Sequence, residues 1–174
     1  MKYLSITLLF FTAIFTNSLA QNIPYSKGRI IISSDGNEHD EDDWAATPMS
    51  LALLAARELQ DQLVLYTFSD HTWGSNKEKP GASNQMLESA FMGAKKLGFK
   101  KTKFIEAVAA PNYAIIELTL QINKSSAKDP LTIIAAGPMD VIGNALNEAD
   151  SVKLKHVRLI SHSLWNDEHA DKPY

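Results

Sequence analysis

The chain has no cysteine among its 174 residues. That absence excludes disulfides, thiolate nucleophiles and thiolate metal sites together. Any metal would have to be held by oxygen or imidazole ligands. Positive charge is not in excess either, with 17 Lys and Arg against 20 Asp and Glu and a formal net charge of -3. No stripe of basic residues breaks that balance, so no nucleic-acid surface is expected. Lys95-Lys96 and Lys100-Lys101 read as a solvated helix end and the loop after it. No apolar run is long enough to span a bilayer.

The longest apolar stretch lies at the N-terminus. Lys2 precedes an apolar run over residues 4–15, broken by Ser5, Thr7 and Thr12, and Ser18-Leu19-Ala20 forms a small-x-small cleavage site before Gln21. This is the pattern of a secretory signal peptide. The expected organisation is a leader over 1–20 and one α/β domain over 21–174. Export to the periplasm or the medium follows, with no membrane attachment after cleavage. There is no internal repeat and no low-complexity tract.

Residues 29–34 (Arg-Ile-Ile-Ile-Ser-Ser) form a β-branched run without polar alternation, as in a strand buried on both faces. An acidic loop follows. Thr47-Pro48 has the form of an N-cap with proline at the first helical position, opening a helix to about 59; a start at Asp43 is equally compatible. Further strands are predicted at 63–68, 104–108, 131–136 and 156–160. Helices are predicted at 83–97 with Gly98 as the stop, at 113–122, and from the Gly137-Pro138 turn to about 149. Residues 69–82 read as a long loop, in which Asp70, His71 and Trp73 could face a cleft or open solvent. Strands alternating with helices of this length imply a mostly parallel open sheet with helices on both faces. In such sheets ligands bind beyond the carboxyl ends of the strands.

Chemistry concentrates at that edge. Residues 35–43 (Asp-Gly-Asn-Glu-His-Asp-Glu-Asp-Asp) place six carboxylates in nine positions directly after a buried strand. Carboxylates that close repel one another and raise one another's pKa, so a compensating charge is expected. Calcium, which takes about six to eight oxygen ligands, supplies it. The spacing is not that of an EF-hand. A solvated acidic turn at a helix N-terminus is the simpler alternative, since negative charge is favourable there. Residues 161–169 form a second constellation after the last strand. His162, Trp165 and Asn166 could stack on and hydrogen-bond a sugar or base. The seven-residue separation of His162 and His169 is not a compact zinc spacing. Ser163 lacks the Gly-x-Ser-x-Gly context of a hydrolase nucleophile.

Three segments together resemble the nucleoside hydrolase family. The first is the strand, Asp35, a glycine turn and Asp42-Asp43-Trp44-Ala45-Ala46; the family has a strand, Asp-x-Asp, Pro-Gly, one residue, then Asp-Asp-Ala. The second is the strand at 131–136 with Gly137-Pro138-Met139, similar to the family's Gly-Pro-Leu-Thr-Asn turn. The third is the strand at 156–160, which falls where the next family strand leads to substrate-contacting residues. The order and spacing of the three also match, over residues 29 to about 169. The resemblance implies a nucleoside-hydrolase-like fold and a calcium-dependent hydrolase of N-glycosidic, ribonucleoside-like bonds, acting on a small-molecule nucleoside or sugar. It implies Asp35 as calcium ligand and proton acceptor, Asp43 as a second ligand, Asp42 holding ribose hydroxyls, and the Ala136 carbonyl in the metal shell. Departures are Ser33 in place of the first Asp, a loop three residues longer with Asp40 as a rival ligand, and Met139-Asp140-Val141 in place of Leu-Thr-Asn. Family chains are considerably longer and draw another acidic ligand from their C-terminal half, so the resemblance implies the N-terminal part of such a protein. A hydrolase for another sugar derivative, or a non-catalytic calcium-stabilised carbohydrate-binding module, stays open, as does homo-oligomerisation. An aspartyl phosphotransfer domain is disfavoured by the crowded carboxylates.

Overall fold

The computed structural model describes residues 28–34, 41–68, 82–137 and 139–161, without the side chains of 41–44 and 82–87. Residues 1–27, 35–40, 69–81, Pro138 and 162–174 lie outside the described residues, and with them the expected leader and most of the expected loop over 69–82. Five strands form one sheet, β1 (Arg29–Ser34), β2 (Leu63–Phe68), β3 (Lys103–Glu106), β4 (Leu131–Ala136) and β5 (Val157–Ser161). Their order is β3-β2-β1-β4-β5 and every pairing is parallel. The connecting helices are α1 (Glu41–Ala56), α2 (Ala82–Leu97), α3 (Pro111–Asn123), α4 (Asp140–Glu148) and α5 (Ser151–Leu154).

Side-chain alternation along the inner strands builds two cores. Ile30 and Ile32 turn to one face and pack with Leu51 of α1 and Ala90 and Ala94 of α2. Ile31 turns to the other and packs with Ala114, Leu118 and Ile122 of α3 and Ile142 and Ala145 of α4. The run of three isoleucines thus serves both faces, which is why it shows no polar alternation. The expected α/β architecture is present, and the sheet is parallel throughout.

The strands predicted at 29–34, 63–68 and 131–136 have those bounds. The differences lie elsewhere, and each has a local cause. Helix α1 begins at Glu41 and carries Pro48 inside it, so of the two starts open in the sequence the earlier one, near Asp43, is the one found and Thr47-Pro48 is not. Proline has no N–H, so the carbonyl one turn back loses its helical donor. Strand β3 ends at Glu106 rather than 108, because the Glu106 carboxylate accepts the Ala109 N–H at 2.6 Å and turns the chain. Pro111 then opens α3, two residues before the predicted start. The helix after β4 stops at Glu148, and Asp150, accepting the Val152 N–H at 2.9 Å, caps the short α5.

Two helix ends use the same hydrogen-bond geometry with different residues. Gly98 has φ +84° after α2, and the Phe99 N–H reaches the Ala94 carbonyl at 2.9 Å. After α1 the left-handed position is held by Glu58 (φ 57°), with Leu59 N–H to the Leu54 carbonyl at 2.9 Å. At the foot of the sheet Gly28 passes so close to Pro130 that a Cβ would lie 2.5 Å from its carbonyl oxygen. Next to it, Arg29 ties three segments together. Its Nε donates to Asp129 Oδ2 at 2.7 Å and Nη1 to the Gln121 carbonyl and Oε1 at 3.0 and 2.6 Å. Nη2 donates to Ser125 Oγ at 3.3 Å.

Candidate functional site at the sheet switch point

The connections leave β1 in one direction towards β2 and β3, and return to its other side with β4 and β5. The strand order therefore reverses between β1 and β4. In doubly wound sheets, ligands bind in the crevice beyond the carboxyl ends of the strands at such a reversal. The register brings Ser34, the last residue of β1, beside Ala136, the last residue of β4. The acidic segment follows Ser34 directly, and the Gly137-Pro138-Met139 segment follows Ala136. The ends of β1 and β4, 102 positions apart in sequence (136 − 34), thus lie side by side.

Two buried hydroxyls, one at the end of β1 and one on α1, are without hydrogen-bond partners. Ser34 is 1 % exposed and its Oγ is unpaired; Thr47, on α1, is fully buried and its Oγ1 is unpaired. By alternation Ser34 shares the α1 side of the sheet with Ile30 and Ile32. A helical threonine commonly bonds the carbonyl a turn back, and Thr47 does not. Leaving a buried hydroxyl unpaired costs about 1–3 kcal/mol. These two flank the acidic segment in sequence, and hard oxygen donors of this kind suit a calcium ion.

Ser33 holds the position of the first Asp in the resembled motif. It is fully buried, and its Oγ accepts from Thr67 Oγ1 at 2.7 Å, across the β1–β2 pairing. By alternation this pair lies on the α3–α4 side with Ile31. A serine there is a cross-strand hydrogen-bond partner, and its hydroxyl is already used.

Of the residues singled out in the sequence, Ala136 stands at the switch point, half-buried at the end of β4. Asp42 and Asp43 lie in the first turn of α1, where the helix dipole favours carboxylates; their side chains are outside the described set. Asp35 and Asp40, as well as His162, Trp165 and Asn166, lie outside the described residues. Among the described residues no group of three His, Asp or Glu comes together, so a metal site here would have to draw on the acidic segment. Among the described residues, too, no helix is long and apolar enough to cross a membrane.

Two further carboxylates sit at the same edge. Asp140, 7 % exposed, is the first residue of α4, and Glu106, 8 % exposed, ends β3. In the sequence Asp140 stands out only as a departure from the family turn, and Glu106 does not stand out. The signal for both is a carboxylate at, or a few residues beyond, a strand exit. Glu106 bonds the following turn through Oε2. Asp140 lies in the first turn of α4, where the helix dipole favours a carboxylate.

No protein-family model matches the chain, and no solved structure matches it. It is similar to a protein of Formosa agariphila, "Uncharacterized protein P22", with 38 % identity over 150 residues. The match covers 83 % of this chain and 55 % of that protein. The chain thus spans about half the length of the curated relative it matches.

Proposed function

We propose that this chain carries the metal-holding end of an exported, nucleoside-hydrolase-like enzyme that cleaves an N-glycosidic bond of a ribonucleoside-like substrate with water. The observation that carries the reading is the register of Ser34 with Ala136 at the switch point. It supports a single site drawn from the acidic segment and the turn after β4, the two segments that carry the family resemblance. The unpaired hydroxyls of Ser34 and Thr47 support it further.

Asp35, Asp43 and the backbone carbonyl of Ala136 would hold a calcium ion. When bound, calcium supplies positive charge that orients a water molecule and lowers its pKa. Asp35 accepts the proton as the water oxygen forms its bond to the anomeric carbon. The bond from that carbon to the leaving nitrogen breaks, and its electron pair departs with the nitrogen. Asp42 accepts hydrogen bonds from the sugar hydroxyls. His162, Trp165 and Asn166, following β5, contribute stacking and hydrogen bonds to the substrate. Ser33 takes no part, because its hydroxyl is engaged with Thr67.

The test is hydrolysis of a chromogenic ribosyl substrate by the exported protein, with calcium, with chelator, and with Asp35→Ala. The reading expects turnover with calcium alone, abolished by chelation and by Asp35→Ala. Binding of sugars without turnover at any calcium concentration would replace the enzyme with a calcium-stabilised carbohydrate-binding module.

A further inference from the structure

Helix α1 is apolar on the side turned away from the sheet as well as on the side turned towards it. Leu51, Leu54 and Ala55 pack into the core. The exposed positions are Ala45, Met49, Ala52, Leu53 and Ala56, and no charged residue occurs between Ala45 and Ala56. Met49 is 59 % and Leu53 62 % exposed. A surface helix ordinarily turns charged and polar residues outward, and one that is apolar all round is covered.

Helix α2 lies against it and supplies the rest of this surface. A Cβ at Gly93 would stand 3.1 Å from Leu51 Cδ1, so the two helices meet closely there. Beside that point is a cleft of about 600 Å³, lined by Ala45 and Pro48 of α1 and by Glu88, Met92, Gly93 and Lys96 of α2. Met92 is 55 % exposed and stands midway between the exposed Glu88 and Lys96, one helical step of four residues from each. At that spacing the three share one face, with opposite charges about 12 Å apart at its ends. Such a row is complementary to itself. Turned about an axis through Met92, Glu88 falls where Lys96 was and Lys96 where Glu88 was.

From these features we infer that the α1–α2 face is the interface of a twofold-symmetric homodimer, with the axis beside Met92. The two α2 helices run antiparallel in that arrangement. Glu88 of each copy meets Lys96 of the other, and Met92 of each enters the other's cleft. A contact of this kind uses the same patch twice and closes on itself. Met49 and Leu53 are then withdrawn from water, which favours the pair. Two helices of about 18 and 24 Å side by side offer about the 1,000 Å² that a specific interface needs when both copies are counted. The charge pattern selects a second copy over another partner, because an unrelated surface has no reason to mirror it. The inference does not depend on the reaction proposed above: loss of hydrolysis or of calcium leaves the dimer untouched, and a monomer leaves the metal site untouched.

Analytical ultracentrifugation of the chain at about 1 to 200 µM, the range expected for an interface of this size, reads the dimer directly. Glu88→Lys and Lys96→Glu, both at exposed positions, should each raise the dimer Kd at least about tenfold, since each brings like charges together twice. The two combined should return it to within about threefold of the native value. A folding defect or a local role of either side chain would not produce that recovery. Met92→Cys adds the one thiol in a chain without cysteine, and oxidation by air should join most of it into disulfide-linked dimers. Val152→Cys, at a position 62 % exposed on α5, should stay unlinked under the same conditions. Circular dichroism checks that each variant is folded. A chain that sediments as a monomer throughout overturns the inference, the face then being covered by another part of the same chain. A dimer that single charge reversals leave unchanged, or equal linking through both introduced thiols, overturns it as well.

Discussion

Replacing Thr47 by valine and Ser34 by alanine should separate stability from metal binding. Both hydroxyls are buried and unpaired, so each carries a desolvation cost of about 1–3 kcal/mol in the metal-free protein. Thr47→Val exchanges the hydroxyl for a methyl group of similar size. Ser34→Ala removes only the oxygen. Each should therefore stabilise the metal-free chain by about 1 kcal/mol, the lower end of that cost, because a small packing loss opposes it. For a chain of this length 1 kcal/mol raises Tm by about 2–4 °C. Calcium should reverse the ranking. A ligand present at 100 times its Kd adds about 2.7 kcal/mol to the native state, and variants lacking the hydroxyls should gain less. Urea unfolding with calcium and with chelator gives both numbers. If Thr47→Val destabilises the metal-free protein by more than about 0.5 kcal/mol, its hydroxyl has a partner and the reasoning collapses.

Three other perturbations test the scaffold. Arg29→Ala should cost about 2–3 kcal/mol by urea unfolding, because a mostly buried guanidinium bonds Asp129, Gln121 and Ser125. Arg29→Lys should recover under half of that, since an ammonium cannot span the three partners. Glu58→Gly should stabilise by about 0.5–1 kcal/mol, since it relieves a side chain at φ 57° after allowing for glycine's unfolded-state entropy; a loss of stability would mean that the Glu58 side chain contributes more than its strain costs. The Lys103 ammonium is held above its ordinary value of 10.5 by its hydrogen bond to Glu117 and then by Tyr113. A raised lysine contributes fully below its unfolded pKa and loses that contribution as pH rises through the folded one. Stability should therefore fall slightly more above pH 10.5 in the native chain than in Glu117→Gln, by a few tenths of a kcal/mol because the lysine side chain is 43 % exposed.

The inner sheet was legible in the sequence because a strand buried on both faces has to be apolar without alternation, as in Ile30-Ile31-Ile32. The edge strands were less so. β3 ends where the Glu106 side chain takes a backbone N–H, an event that composition does not announce. Thr47-Pro48 carries a helix-start pattern and left the start open between there and Asp43, and α1 begins at Glu41, by the earlier of the two; proline is tolerated inside where tertiary packing outweighs local propensity. Of the site, position along the chain was readable and pairing was not. That Asp35 follows a strand is a local fact, whereas the alignment of Ser34 with Ala136 arises only when β4 inserts beside β1. Ser34 and Thr47 gave no signal, because an unpaired hydroxyl becomes visible only once its surroundings are folded.

Calcium titration calorimetry on the native chain and on Asp35→Ala tests the central claim most directly. The switch-point site predicts one calcium bound per native chain, with affinity reduced at least about tenfold in Asp35→Ala while the urea midpoint without calcium is unchanged. Calcium binding of equal strength in both proteins, or none in either, would contradict it.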